Sequence, residues 1–177
     1  MLEKNKELWE RCVAFHGHAC GGLAVGYQAS LYAMELLGVS GRAQDEELVC
    51  VTENDACGVD AVQAVLGCTV GKGNLIFRMT GKQAFNFFDR QSGKGVRLLL
   101  RATPGLSRQE RESWLMHGDF HEMFDVGPAR AALPETARIF KTCTCAKCGE
   151  RMSESHAHLQ NGEIVCDDCF APYTRGL

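Results

Sequence analysis

ELVCVTENDACG, residues 47–58, passes from a strand to the start of a helix within a few residues and so decides the fold. Its first half, residues 47–53, is rich in β-branched and apolar side chains and predicts a strand. The polar residues that follow lead into residues 59–66, which predict a helix that ends at Gly67. Cys57 therefore stands at the amino-terminal end of a helix, where the helix dipole is expected to lower the pKa of its thiol.

Further helices are predicted on both sides of this stretch. Residues 3–14 and 22–37 have apolar side chains at helical spacing, and Gly38 ends the second helix. Residues 107–117 predict a more polar helix, and a loose connector marked by glycine and proline follows it.

Strands are predicted between these helices at residues 74–79, 82–89 and 95–101. The joining segments Thr80-Gly81 and 92–95 are typical of hairpin turns, so a three-stranded antiparallel meander is the simplest arrangement. We therefore predict an α+β fold in which helices pack on a small, mainly antiparallel sheet.

The composition is that of an ordinary globular chain. It has 177 residues, of which 45% are hydrophobic and 23% charged, enough for one core and a small appendage. A formal net charge of −3 and the lack of a basic run argue against nucleic-acid binding, and no apolar run is long enough for a membrane span. Because the charged first residues lack a signal-peptide pattern and ten cysteines suit a reducing compartment, we expect a cytoplasmic protein.

A change of composition near residue 140 predicts two domains, a core at 1–140 and a small domain at 141–177. The small domain carries Cys145-x-x-Cys148 and Cys166-x-x-Cys169, separated by 17 residues, which is the spacing of a zinc ribbon. Four thiolates would close a tetrahedral Zn²⁺ site that replaces a hydrophobic core. Two disulfides or four unrelated thiols are the alternatives, and Cys143 is a spare thiol.

A second group of metal-binding residue types lies near the start of the chain, in FHGHAC, residues 15–20. Alternate residues of an extended segment point the same way, so His16, His18 and Cys20 could converge on one ion. These donors suit zinc, nickel, copper or iron. Cys57 is the better third ligand beside the two histidines, which leaves Cys20 as a neighbour or fourth ligand and one position open for a bound molecule. Core cysteines and hydrogen-bonded histidines are the alternative interpretation.

Three blocks of this chain, residues 15–27, 53–63 and 67–75, resemble the FmdE family of formylmethanofuran dehydrogenase subunits, and the resemblance extends to the four-cysteine ribbon. It implies an α+β core with a His/Cys metal site, a zinc-finger domain and a homodimer. Carried over by position, the core site falls on His16, His18 and Cys57, with Cys20 close by. The family often has proline after the first cysteine, where this chain has Gly21. Formyl oxidation belongs to a different subunit of that complex, so the resemblance implies an accessory protein.

Two functions remain open from the sequence, and enzymatic activity is not assigned. The first is a small metal-dependent enzyme or binding protein with Zn²⁺, Ni or Fe in the core, in which Glu53, Asp55 or Asp60 serves as an acid or base. In that case Lys72 could meet an anionic ligand. The second is a regulatory or metal- and redox-sensing protein whose ribbon contacts a protein partner or the other copy in a dimer. A zinc-ribbon transcription factor is the weakest interpretation, because residues 141–177 are slightly acidic.

Overall fold

The computed structural model describes residues 6–103 and 105–175 and divides the chain into two compact units, Met1–Thr136 and Ala137–Leu177. The first unit contains, in chain order, α1 (Lys6–His16), α2 (Gly21–Leu37), β1 (Leu48–Thr52), α3 (Gly58–Leu66), β2 (Leu75–Phe77), β3 (Ala84–Asp89), β4 (Gly95–Leu100), α4 (Arg108–His117), α5 (Phe120–Met123) and β5 (Phe124–Pro128). The second unit contains two short hairpins, β6 (Thr142–Thr144) with β7 (Arg151–Ser153) and β8 (His158–Gln160) with β9 (Glu163–Val165). Short 3₁₀ turns at Glu154–His156 and Asp167–Cys169 complete it.

The strands of the first unit form a five-stranded sheet in the order β2-β1-β3-β4-β5. Strands β1 and β2 are parallel, and the other three pairs are antiparallel. Together with the helices, this sheet confirms the predicted α+β class with a mainly antiparallel sheet.

The predicted three-stranded meander is wrong, because β1 lies between β2 and β3. Helix α3 carries the chain from β1 to β2 as a crossover, and a crossover places two strands parallel. The segment Thr80-Gly81, with the sequence of a hairpin turn, instead passes over the carboxyl end of β1. There the amides of Thr80 and Gly81 donate to the carbonyl oxygen of Glu53 at 3.1 and 3.0 Å.

The fifth strand lies where the sequence predicts a loose connector. Strand β5 contains Gly127 and Pro128, residues that are depleted in strands, and it forms because it pairs along β4 at the edge of the sheet. Tertiary pairing therefore overrides local preference in this segment.

The two faces of the sheet are buried differently. Phe85, Phe87 and Leu98 point to the helices and join the main core, in which Leu23, Tyr27 and Val62 from α2 and α3 are also buried. The opposite face carries Val49, Val51 and Phe88, packed against Ile76, Ala129 and Ala131. Helices α2 and α3 are thus held on one side of the sheet, and the residues that join β1 to α3 follow the carboxyl end of an inner strand.

Glycines on α2 allow the amino-terminal end of α3 to pack directly against it. A Cβ atom on Gly26 would lie 1.9 Å from the carbonyl oxygen of Gly58, so no larger residue fits there without movement of the backbone. One turn earlier, a Cβ atom on Gly22 would lie 3.2 Å from Cβ of Cys57 and 3.9 Å from Sγ of Cys20. This close approach brings Cys57 beside Cys20 although 37 positions separate them in the sequence.

None of the helices in the described residues is long and apolar enough to cross a membrane. The cytoplasmic location stays a prediction.

Candidate metal centre

Three side chains of the first unit converge where three helices meet. His16 is the last residue of α1, and Cys20 and Cys57 immediately precede α2 and α3. One ligand atom from each of them lies within 4.8 Å of the other two, and all three residues are half-buried. An imidazole and two thiols at this spacing could hold a metal ion and are compatible with zinc.

A carboxylate fixes the orientation of the His16 ring. Nδ1 of His16 lies 2.7 Å from Oδ2 of Asp60, in the first turn of α3, and Nε2 faces Sγ of Cys20 at 3.9 Å. Because an ionised carboxylate only accepts hydrogen bonds, the ring proton is placed on Nδ1 and the lone pair of Nε2 faces the thiols. Nε2 of Gln63 donates to the other oxygen of Asp60 at 3.2 Å and helps to hold the carboxylate.

Cys20 is fixed by its place in front of α2. Its backbone is extended (φ −153°, ψ 162°), and its sulfur accepts a hydrogen bond from the amide of Leu23 at 3.3 Å. The thiol therefore serves as the amino-terminal cap of α2, a role usually taken by serine, threonine, aspartate or asparagine. This capping contact holds the sulfur towards His16 and Cys57.

Cys57 also precedes a helix, but its thiol does not behave as the sequence predicts. The residue has helical backbone angles (φ −47°, ψ −30°) and its side chain caps no amide. Burial and the neighbouring Cys20 thiol raise its pKa, whereas the helix dipole alone would lower it. Two thiols held this close cannot both lose their protons easily unless a cation lies between them, and a bound metal ion supplies that charge.

His18 stands beside this group and is not part of it. Its side chain is exposed, and its ring centroid lies 4.6 Å from that of His16. In the described residues the structure therefore brings together His16, Cys20 and Cys57, with His18 as a neighbour. The sequence pattern instead favours the two histidines with Cys57.

Of the predicted acid and base candidates, Glu53 is engaged in a structural contact. Its carboxylate is buried and accepts hydrogen bonds from Nε and Nη2 of Arg97 at 2.6 and 2.9 Å. Asn86 and Thr80 donate to the same carboxylate, and these hydrogen bonds, led by that of Arg97, lower the pKa of Glu53 to about 2. It is therefore ionised and paired at neutral pH, which leaves no proton to exchange with a ligand.

The other charged candidates divide between the site and its surroundings. Asp60 contacts His16, as described above, whereas Asp55 is exposed. Lys72 donates from Nζ to the carbonyl oxygens of Ala43 and Asp45 at 3.1 and 2.9 Å. The expectation that Lys72 meets a ligand of the core site finds no support in these contacts.

The four predicted ribbon ligands, Cys145, Cys148, Cys166 and Cys169, form a second group whose sulfur atoms lie within 4.8 Å of one another. Hydrogen bonds from the backbone amides of Cys148 and Cys166 lower the pKa of the Cys145 thiol to about 6. The spare thiol Cys143 lies in β6, outside this group. The set supports a zinc-ribbon-like unit.

Histidines near the ribbon cysteines make contacts of their own. His158 hydrogen-bonds to Asp167 through Nε2 and stacks on Phe170, with ring centroids 4.2 Å apart. His156 lies 3.7 Å from the same carboxylate. Both histidines contact an acidic residue of the ribbon, and neither belongs to the four-cysteine group.

Comparisons with known proteins give a matching family model, a curated relative and a solved structure of similar fold. Residues 15–148 match the family model described as "FmdE, Molybdenum formylmethanofuran dehydrogenase operon". A probable S-adenosyl-L-methionine-binding protein of Archaeoglobus fulgidus is 31% identical over 172 residues, and the match covers 79% of this chain and 47% of that protein. The present chain thus spans about half the length of this curated relative.

A solved structure supports the same fold. The crystal structure of a tungsten formylmethanofuran dehydrogenase FmdE-like protein from Syntrophus aciditrophicus has a TM-score of 0.64 with this chain, at 24% sequence identity. The likeness covers 93% of this chain and 90% of that one.

Proposed function

Because the chain belongs to the FmdE family, we propose that its core binds one transition-metal ion through His16, Cys20 and Cys57 while the ribbon binds a structural zinc ion. The observation that carries this proposal is the contact between Asp60 and Nδ1 of His16. Histidines that ligate metals through one ring nitrogen usually donate from the other to a carboxylate or carbonyl, which fixes the tautomer and raises the basicity of the ligating nitrogen. His16 shows this arrangement, with its free nitrogen turned towards two thiols.

The donor set favours a thiophilic ion with one coordination position left for a ligand. Two thiolates and one imidazole suit zinc best, and nickel and iron are the other candidates. Three protein ligands leave a fourth position, which in zinc proteins is typical of sites that bind or activate a small molecule. A metal ion there would supply Lewis acidity towards that molecule. His18, exposed and next to His16, is the protein residue best placed to fill the position when no ligand is bound.

The proposed set can be tested against the sequence-based set by exchanging the disputed ligands. The experiment measures core metal content and affinity in Cys20→Ser and His18→Ala, with Cys143→Ser as a control for the loss of a thiol. We expect Cys20→Ser to lose the core metal, because it removes one of three donors, and His18→Ala to retain it. Loss of the metal in His18→Ala with retention in Cys20→Ser would replace the proposed set by His16, His18 and Cys57.

The relative from Archaeoglobus fulgidus suggests a ligand for the open position. That protein is described as a probable S-adenosyl-L-methionine-binding protein, and its match covers 79% of this chain. We propose S-adenosylmethionine, or a compound that shares its methionine part, as a ligand of the first unit. Equilibrium dialysis of the metal-loaded protein with labelled S-adenosylmethionine tests this, and no retention at millimolar concentration would remove the candidate.

A second candidate function is a regulatory or accessory role in which the ribbon contacts another protein or the other copy in a homodimer. The observation that favours it is an apolar pair on the β8–β9 hairpin. Leu159 and Ile164 are cross-strand partners, and 74% and 43% of their surfaces are exposed. Mass measurement by light scattering on Leu159→Ser with Ile164→Ser tests the dimer. A wild-type monomer, or an unchanged dimer in the double variant, would contradict a dimer contact through this hairpin.

A further inference from the structure

A surface cavity opens beside the candidate metal centre, between the start of α2 and one face of α4. It has a volume of about 300 Å³ and is lined by Cys20 and Gly21 from one side and by Arg108, Arg111, Glu112 and Leu115 from the other. Leu115 is buried and packs so closely that a Cβ atom on Gly21 would lie 3.0 Å from its Cδ1. This contact fixes the position of α4 relative to Cys20. The Leu115 side chain is the apolar residue of α4 that lines the cavity.

The helical spacing of α4 places three of its charged residues, Arg108, Arg111 and Glu112, on one face. Positions 108, 111, 112 and 115 follow the spacing i, i+3, i+4 and i+7, which places residues three or four apart next to one another on one face of a helix. The capping box formed by Ser107 and Glu110 fixes the first turn of this helix. Two guanidinium groups and one carboxylate therefore line the same cavity.

Within the part of the chain that the structure describes, these three charged side chains form no ion pairs. Neither Arg108 nor Arg111 makes an ion pair with any residue that the structure describes, and the same holds for Glu112. Arginine pairs best with a carboxylate or a phosphate, and it does so through two parallel hydrogen bonds. A ligand with one negative group for the arginines and a positive group next to it for Glu112 would satisfy all three side chains.

We propose that this cavity binds the headgroup of an α-amino acid, with the carboxylate at Arg108 and Arg111 and the ammonium group at Glu112. The side chain of the ligand then extends towards Cys20, the one member of the candidate metal centre among the described residues that line the cavity. A metal ion bound by two thiolates and an imidazole accepts soft donors, so a thioether or another sulfur-containing side chain suits this direction best. This inference rests on the proposed function for the direction of the side chain, but the headgroup contacts do not require the metal.

The test uses L-methionine as the probe and two analogues that each lack one charge. Methionine methyl ester lacks the carboxylate, and 4-(methylthio)butyrate lacks the ammonium group. Binding is measured by calorimetry on the full chain, in metal-loaded and metal-free form. The variants are Arg111→Met, Arg108→Met and Glu112→Gln, and Arg130→Met, which removes an exposed arginine elsewhere in the first unit, is the matched control.

We expect methionine to bind at least about tenfold more tightly than either analogue, since charge-assisted hydrogen bonds are the strong ones. Each arginine variant is expected to lose a similar factor for methionine, and Arg130→Met is expected to lose none. Glu112→Gln should weaken methionine and leave 4-(methylthio)butyrate unchanged. Equal binding of all three compounds, no binding of methionine by the wild type, or unchanged affinity in both arginine variants would overturn the proposal.

The metal-free protein separates this proposal from the proposed function. Arginine-dependent binding of methionine by the metal-free form supports the cavity whether or not the core holds a metal. If the wild-type chain takes up no core metal when metal is supplied, but still binds methionine through Arg108 and Arg111, the metal site is contradicted and the cavity is not. A metal-loaded chain whose affinity for methionine does not depend on Arg108 or Arg111 would contradict the cavity alone.

Discussion

Replacement of Asp60 by asparagine tests the orientation of His16 most specifically. The variant keeps the size of the side chain and removes the charge that lies 2.7 Å from Nδ1. An amide can present either its oxygen or its nitrogen to the ring, so the tautomer with a free Nε2 is no longer enforced. We expect weaker metal binding with no loss of any ligand.

The size of the effect follows from the exposure of the contact. Loss of a carboxylate that hydrogen-bonds to a metal-ligating histidine typically costs 10- to 100-fold in metal affinity, or roughly 1.4 to 2.7 kcal/mol. The His16 side chain is 12% exposed but that of Asp60 is 37% exposed, so solvent screens part of the interaction. We therefore expect Asp60→Asn to lie near the tenfold end of this range.

The assay is a competition titration of the core metal against a chromophoric chelator, with the ribbon already loaded. Asp55→Asn is the matched control, because it removes an exposed carboxylate from the same connection between β1 and α3. A metal affinity of Asp60→Asn equal to that of the control would refute the role of Asp60. So would an affinity loss that appears in both variants, since it would reflect overall charge.

Three further predictions concern helix packing and charged contacts in the first unit. Gly26→Ala should lower the free energy of unfolding, measured with urea, by at least roughly 1–3 kcal/mol. The new Cβ atom would clash with the carbonyl oxygen of Gly58, the first residue of α3, and this clash outweighs a gain of about 1 kcal/mol in helix propensity. Wild-type levels of stability would show that the two helices do not approach so closely. Because the pKa of Glu53 falls from an ordinary value of 4.5 to about 2 on folding, its pairing with Arg97 stabilises the fold above pH 4.5 and loses that effect as the pH falls towards 2. The contribution is on the order of 3 kcal/mol, and acid unfolding of Glu53→Gln should lack it. An NMR titration of His121 should give a pKa above 6.5, because Glu35 and Asp119 accept hydrogen bonds from its ring, and Glu35→Gln should lower that pKa. An unshifted pKa in the wild type would speak against both contacts.

Helices α2, α3 and α4 and the ribbon spacing could be predicted from local sequence because local patterns determine them. The extended segment predicted for residues 15–20 is wrong at its start, because α1 continues to His16, and the short helix α5 lies where a loose connector is predicted. Apolar periodicity and the terminal glycines place α2 and α3 within a residue of their observed ends. The topology of the sheet depends on which strands pair. Two strands joined by turn residues in the sequence have the pattern of a hairpin even when a third strand lies between them in the sheet. This is why the position of β1 and the existence of β5 do not follow from the sequence.

The candidate metal centre could be predicted in its chemistry but not in its geometry. The residue types and the contribution of a distant cysteine follow from the sequence, whereas the choice between His18 and Cys20 depends on where α1 ends and α2 begins. Asp60 is an acid or base candidate in the sequence, yet its contact with His16 depends on the packing of α3 against α1 and α2. Its position three residues after Cys57, in the first turn of the same helix, is the signal that could have revealed it.

Element-resolved metal analysis of three anaerobically purified proteins tests the central claim most directly. The wild type is expected to hold two metal ions per chain, and Cys57→Ser and Cys166→Ser are expected to hold one each, with the ion lost from a different site in each variant. Two tightly bound ions in Cys57→Ser, or the loss of both ions in either variant, would contradict two independent sites.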